Sequence, residues 1–558
     1  MMSNHKESWG SRVGLILAMA GNAVGFGNFL RFPVQAAQNG GGAFLIPYLV
    51  CFFLMGIPLL LIEWSMGRLG GSSGNHSTPF IVHILGKGGR IWKYVGTLGL
   101  FSNFSILSYY TYLESWTVFY ILHSLIGTFS GMSQAEVSQF FQDYTNINIS
   151  TTFIPYESVL VYIFCISMNT YILSKGLRGI EKVAKVAMPL LIVFALILAI
   201  KGWMLGTDGA SIEHPDVNAW DGLNFLWNPQ FESIWNPKIW LAAAGQIFFT
   251  LSLGQGLIQC YASYLKPKED IALGALSAGF INEFIEVILA SSIVIPIAAG
   301  YLGIDWVREN ASFGMAFQTM PYLFQQWGSV LAPLGGLFWF GLLFFAGITT
   351  ALAHGTPWIG MLRDEFHWSR KKGAWTLGVI VFIIGLPTVL FYNHGVFNEY
   401  DYWGGTIGIV LLTLFESIAF VWVFGMDKGW KEINEGANIK LPIALKYICQ
   451  YITPYLLIVV LFSAIFTPLN NDWSGAVESI TAGNGWALDN SSLIKIITQG
   501  RLKEQIVQST DPVIIAQLEK KMSYINFSRI LLITLFTALC LLVHQAGKRY
   551  KKRIENVA

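Results

Sequence analysis

Charge is scarce in this chain. Asp, Glu, Lys and Arg make up only 12% of its 558 residues, and the mean hydropathy is +0.52. A soluble domain carries about twice that share of charge. The shortage argues for a polytopic membrane protein, for which length says little about domain number. Cysteine is sparse as well. Cys51, Cys165, Cys260, Cys449 and Cys540 all fall in apolar segments. An odd count at membrane depth gives no disulfide framework, and no CxxC or Cys/His cluster suggests a zinc-type site. The formal net charge of +2 marks no partner, and nucleic acid is not expected. No nucleophile–base pair occurs in a recognisable context, so the chain is not expected to be an enzyme.

Glycine, by contrast, stands where it is unexpected. The first long apolar segment, about residues 13–37, contains GNAVGFGNFLR at Gly21 to Arg31. Gly25 and Gly27 weaken a helix at that point. Unpaired backbone at membrane depth is tolerated only where protein or a cavity surrounds it. Two readings follow: a discontinuous helix lining a binding site, or close helix packing through the Gly21/Gly25 GxxxG pair. The run FFTLSLGQGL, with Ser252, Gly254 and Gly256, repeats the oddity in the sixth apolar segment. Two interrupted helices, each opening a set of five, point to a five-plus-five repeat with the site between its halves.

Twelve spans are expected, at about 13–37, 43–70, 91–124, 155–175, 184–206, 240–264, 271–302, 331–362, 373–393, 402–425, 446–467 and 525–546. Residues 1–12 form an N-terminal segment, 13–206 and 240–425 the two five-helix repeats, 446–546 the last two helices, and 547–558 a basic tail. Arg68, Lys87 and Arg90 follow the second span, and Lys175, Arg178, Lys182 and Lys185 follow the fourth. Residues 125–152 hold no Lys or Arg, and 207–239 hold five acids against Lys238 alone. This asymmetry puts both termini in the cytoplasm. The interrupted first segment is read as a span rather than a signal peptide. In the long loop at 468–524, Asp511-Pro512 is expected to cap a short helix, with another over 492–508.

The motifs GNAVGFGNFLRFPVQAAQNGGGAF, IEWSMGRLGG, YYTYLESW, GQIFFTLSLG, FFAGITT and DYWGGTIG run in order through the first ten spans. Through them the chain resembles the neurotransmitter:sodium symporters, especially the bacterial leucine-transporter branch. The resemblance implies an all-α LeuT-like fold, an inverted repeat with helices 1 and 6 broken mid-membrane, and sodium-coupled import by alternating access. It implies one sodium ion at the Ala23 carbonyl, Asn28, Thr250 and Asn282. A second is implied at carbonyls of Gly21, Val24 and Ala346 with the Thr349 and Thr350 hydroxyls. For the two threonines, back-bonding to the preceding turn is the plainer alternative.

By the same resemblance, a substrate carboxylate meets Tyr110 and the N–H groups near Gly25 and Gly27, beside a positive helix end. The ammonium meets Ala23, Phe249, Thr250 and Ser252. A glycine at position 25, where monoamine carriers place an aspartate, implies an amino acid. Phe26, Ile106, Gln255, Thr350 and His354 line the side-chain pocket, and Gln255 and His354 replace apolar residues there. Either they bond a polar substrate side chain, or they bond each other and the substrate is hydrophobic. Glu286 stands where chloride-dependent members carry a small hydroxyl residue, with Tyr48, Gln246 and Thr250 expected nearby, so no chloride requirement is expected.

Arg31 and Asp401 are expected to close the outer side above Tyr110 and Phe249. Asp364, Tyr264, Trp9 and Lys6 are expected to close the inner side, with Lys6 replacing an arginine. A β- or γ-amino-acid carrier and a transporter-like nutrient receptor remain as alternatives. The bilayer, in a bacterial inner (plasma) membrane, is the expected setting, and the sequence leaves open whether the protein is a homodimer.

Overall fold

The computed structural model describes residues 8–145, 155–205, 217–312 and 314–555. Its long elements are helices, and no strand occurs among the described residues. In chain order they are α1 (Arg12–Ala23, then Gly27–Gln38), α2 (Gly42–Ser72), α3 (Trp92–Leu125), α4 (Tyr156–Ser174) and α5 (Leu177–Trp203). There follow α6 (Pro237–Thr250, then Leu257–Ala262), α7 (Ile271–Leu302), α8 (Gly328–Phe366), α9 (Arg370–Leu390), α10 (Val396–Asn434), α11 (Ile443–Ile465) and α12 (Pro512–Glu555). Nine of them are long and apolar enough to cross a membrane, ten if the bent pieces of α1 count as one span. α3 and α6 fall short of that measure, so it accounts for nine or ten of the twelve expected spans.

α3 carries its own explanation. It is rich in Ser, Thr and Tyr, and these are buried along most of its length. A helix shielded by other helices can hold polar side chains that lipid would reject. α8 packs on α3 and α5, and α1 packs on α5, α7 and α8. α11 and α12 are the least buried of the apolar helices and sit at the edge.

Both glycine-marked breaks are present. α1 stops at Ala23, Val24 turns extended (φ −75°, ψ 96°), and the second piece departs at 42°. α6 stops at Thr250 and restarts at Leu257. Wide π-helical turns, which are frequent at functional sites, fall at Gly27–Arg31, Phe284–Ala290 and Asp401–Gly408. They carry Asn28 and Arg31, Glu286, and Asp401.

Two expectations for the late loop need correction. Asp511 does cap a helix, its carboxylate accepting from the Val513 N–H at 2.8 Å. That helix is α12 itself, running unbroken through the last span. No Gly or Pro interrupts residues 513–546, so nothing stops it. The helix expected over 492–508 is two, Leu493–Thr498 and Gly500–Gln508, divided at Gln499, whose φ is 54°. A further helix at Trp473–Thr481 carried no expectation.

Candidate functional site

The breaks of α1 and α6 face each other across a small, nearly closed cavity of about 10 Å³, bounded further by α3 and α8. Its walls are Asn22, Ala23, Gly25, Gly27, Ile106, Tyr110, Phe249, Ser252, Gln255, Thr350 and His354. Ten of the eleven are substrate or ion positions expected from the sequence; Asn22 is the addition. Phe26 is buried against Tyr110, with ring centroids 4.7 Å apart.

Two backbone N–H groups at the α1 break have side-chain partners. The Gly25 N–H donates to Asn28 Oδ1 at 2.8 Å, and the Phe26 N–H donates to the Tyr110 hydroxyl at 2.9 Å. Across the cavity, the Ser252 hydroxyl donates to the Asn22 carbonyl at 3.0 Å. On the α6 side, the Gly254 N–H donates to Glu63 Oε1 at 2.8 Å, and Asn103 Nδ2 donates to the Gln255 carbonyl at 3.0 Å. These bonds satisfy backbone groups that the missing turns leave orphaned.

Beside this cavity the residues expected at the first ion site converge. Asn28 Nδ2 lies 3.1 Å from Thr250 Oγ1, 2.9 Å from Asn282 Oδ1 and 2.8 Å from Glu286 Oε2. Asn282 Nδ2 donates to Thr250 Oγ1 at 3.1 Å. Glu286 also accepts from Gln246 Nε2 at 2.7 Å and from the Thr250 hydroxyl. Tyr48, the remaining expected neighbour, is buried beside Glu283 and Glu286. The result is a dense set of neutral oxygens around the buried Glu286 carboxylate, with a second buried carboxylate, Glu283, 3.4 Å from Asn282 Nδ2.

The residues expected at the second ion site also meet. The Thr350 hydroxyl reaches the carbonyls of Gly21 at 3.4 Å and Asn22 at 3.2 Å. Thr349 lies against Gly21, where an added Cβ would come 3.1 Å from its own. Its hydroxyl donates back to Phe345 O at 2.9 Å and Ala346 O at 3.1 Å, the back-bonded alternative. A hydroxyl that donates its one proton keeps lone pairs for a cation. Val24 and Ala346 are fully buried nearby.

A broken α1 and α6 around such a site also set the terms for comparison with known proteins. The family model described as Sodium:neurotransmitter symporter family matches residues 6–136 and 132–504. The chain belongs to that family. It is 30% identical over 484 residues to an uncharacterised sodium-dependent transporter of Haemophilus influenzae, covering 84% of this chain and 100% of that one. It is 24% identical over 526 residues to sodium-dependent nutrient amino acid transporter 1 of Drosophila melanogaster, covering 83% and 78%. The crystal structure of MhsT in complex with L-phenylalanine superposes with a TM-score of 0.71 at 28% identity, over 82% of this chain and 99% of that one. The architecture is therefore LeuT-like, and the protein is a sodium-dependent transporter, not an enzyme.

On one side of the transporter's cavity, the Arg31 guanidinium lies 4.6 Å over the Phe249 ring. Asp401 accepts from the Tyr109 hydroxyl at 2.7 Å. The expected Arg31–Asp401 pair is not joined in this structure: Arg31 sits on Phe249, Asp401 is held by Tyr109, and no ion pair within 4.0 Å links them. On the opposite side, Trp9 stacks edge-on against Tyr261, its indole N–H donating to the Tyr261 carbonyl at 3.1 Å. Asp364 accepts from the His76 backbone N–H at 2.9 Å and lies 3.1 Å from the His76 ring Nδ1, and the ring stacks on Tyr264 at 4.3 Å, so an imidazole bridges the two expected gate residues. Lys6 lies outside the described residues.

Sequence reasoning missed Asn22, Glu63, Asn103 and His76. Glu63 had a usable signal, an acid in the middle of the second apolar span. Asn103 and His76 had none, since their roles arise from helices distant in sequence.

Proposed function

We propose that this protein imports an amino acid together with sodium by alternating access, without a chloride requirement. The observation that carries the reading is the meeting of both helix breaks at one cavity, with Asn28, Thr250, Asn282 and Glu286 clustered at its edge. The amino-acid part draws support from the nutrient amino acid transporter among the relatives and from the phenylalanine held by MhsT. Gly25 supports it too. An added Cβ there would run into the Tyr110 hydroxyl and come 3.0 Å from Thr350 Oγ1, so the position has no room for a side chain, the aspartate of monoamine carriers included.

In this reading the substrate carboxylate takes the Tyr110 hydroxyl and the N–H groups at Gly25 and Gly27, and the ammonium takes carbonyls at Ala23, Phe249 and Thr250. One sodium ion rides with Ala23, Asn28, Thr250 and Asn282, and the other with Gly21, Val24, Ala346, Thr349 and Thr350. Glu286 supplies the negative charge that chloride would otherwise bring. Arg31 and Asp401 close one side, and Asp364, Tyr264, His76 and Trp9 the other. The repeats are residues 13–206 and 240–425, both termini face the cytoplasm, and the setting is the plasma membrane of the cell. Each charge moved through 100 mV releases about 2.3 kcal/mol. Two ions then supply about 5 kcal/mol, or about three orders of magnitude of accumulation.

Uptake of labelled amino acids by proteoliposomes under an inward sodium gradient tests the proposal. Accumulation in sodium, its loss in potassium, and its persistence when gluconate replaces chloride are expected. Binding without accumulation would sink the transport reading, and a chloride requirement would sink the role given to Glu286.

A further inference from the structure

His354 and Gln255 stand in the cavity wall, 2% and 3% exposed. They are not bonded to each other. His354 Nδ1 lies 2.8 Å from the Thr350 carbonyl, one helical turn back on α8. A carbonyl oxygen can only accept, so Nδ1 carries the proton in that bond. With a neutral ring, Nε2 is then a bare acceptor, and it has no partner in the structure. Gln255 Oε1, a second acceptor, also has none, although the Gln255 backbone is held by Asn103. Asn22 adds a side-chain amide with both polar atoms unpartnered. Of these three, only His354 has its role settled by geometry, since an amide can turn over and offer either end.

A ring protonated at both nitrogens would place a cation in a cavity whose walls hold no Asp or Glu. The neutral ring avoids that cost. The same wall composition leaves a positively charged substrate side chain without a counter-charge. A purely apolar side chain would bury Nε2 and Oε1 with nothing to accept from. A side chain that only accepts would bring one more lone pair to Nε2.

Resting on the amino-acid transport reading above, we propose that the substrate is a neutral amino acid whose side chain donates a hydrogen bond to His354 Nε2, with Gln255 as the supporting contact. The class comprises hydroxyl, amide and indole side chains. His354 is thereby a specificity-determining residue.

Pairs of nearly equal shape isolate the donor: tyrosine and phenylalanine, threonine and valine, glutamine and methionine. The purified full-length protein is titrated with each in sodium and in potassium, and thermal stabilisation gives the apparent affinity. In sodium, the donor-bearing member of at least one pair is expected to bind about 10-fold tighter or better, because a site built around a hydrogen bond rejects the analogue that lacks it. His354→Leu is expected to erase that preference and His354→Gln, which keeps an acceptor, to retain part of it. Gln255→Leu should weaken it less than His354→Leu does. The preference of the unaltered protein decides the matter even if a variant fails to fold. Equal or tighter binding of the apolar member in all three pairs would overturn the proposal while leaving amino-acid transport standing. It would mean that the acceptors serve the substrate ammonium or turn to each other. If no amino acid stabilises the protein in sodium, the transport reading falls first and this proposal with it.

Discussion

The two broken helices solve one problem in different ways. The α1 break is short. Gly25 and Gly27 keep ordinary negative φ, and neutral groups, Asn28 and the Tyr110 hydroxyl, take its loose N–H groups. The α6 break spans six residues, 251–256, three of them left-handed: Ser252 (φ 55°), Gly254 (φ 67°) and Gly256 (φ 72°). A buried carboxylate, Glu63, takes the Gly254 N–H. Glycine in α1 is therefore required by the close approach of Tyr110, Thr350 and Phe249, whereas glycine in α6 is required by backbone conformation. The first break turns on space and the second on shape.

If that distinction holds, substitution should separate the two. Gly254→Ala meets left-handed φ and collides with Thr413 and the Ile409 carbonyl; Gly256→Ala collides with Thr78. Strain and overpacking together should cost about 2–6 kcal/mol, enough to remove most folded protein on size-exclusion analysis. Gly25→Ala, at ordinary φ, should leave folded protein and abolish sodium-dependent substrate binding. Similar yields for the α1 and α6 variants would end the contrast.

Glu63→Ala leaves the Gly254 N–H buried without its acceptor and should destabilise by about 1–3 kcal/mol, read as a lowered unfolding midpoint. Tyr110→Phe removes the equivalent acceptor at α1. Its cost should be about 1 kcal/mol in stability, with a larger loss in substrate affinity because the hydroxyl also faces the ligand. Glu286→Ser should change stability little and make uptake chloride-dependent, measured with gluconate as the replacement anion. The smallest effect is expected at Ser252→Gly. It relieves about 1 kcal/mol of left-handed strain and gives up the hydrogen bond to the Asn22 carbonyl, worth about as much, so the unfolding midpoint should barely move.

The helices and their breaks were legible because each rests on local chemistry. Long apolar runs must bury their backbone in helices, and clustered glycines at membrane depth must interrupt them. The merged α12 was misread because Asp511-Pro512 signals a start but not where the helix stops; residues 513–546 simply offer no stop. The wall residues were legible through motif resemblance: of the eleven that line the cavity, all but Asn22 were expected. The pairings were not. Arg31 sits on Phe249 rather than Asp401, and His76, without any motif, joins Asp364 to Tyr264.

The sequence by itself determined the membrane class, the family, the two break points and, Asn22 apart, the polar groups at the cavity. Those follow from composition and from residues that restrict their own backbone. Only the tertiary structure decided what each polar group faces. Glu63 turned out to serve α6, Asn28 to link α1 with α7, and His354 to spend its proton on Thr350 and present a bare nitrogen to the cavity. Hydrogen bonds act over about 3 Å, and only folding brings residues hundreds of positions apart within that distance.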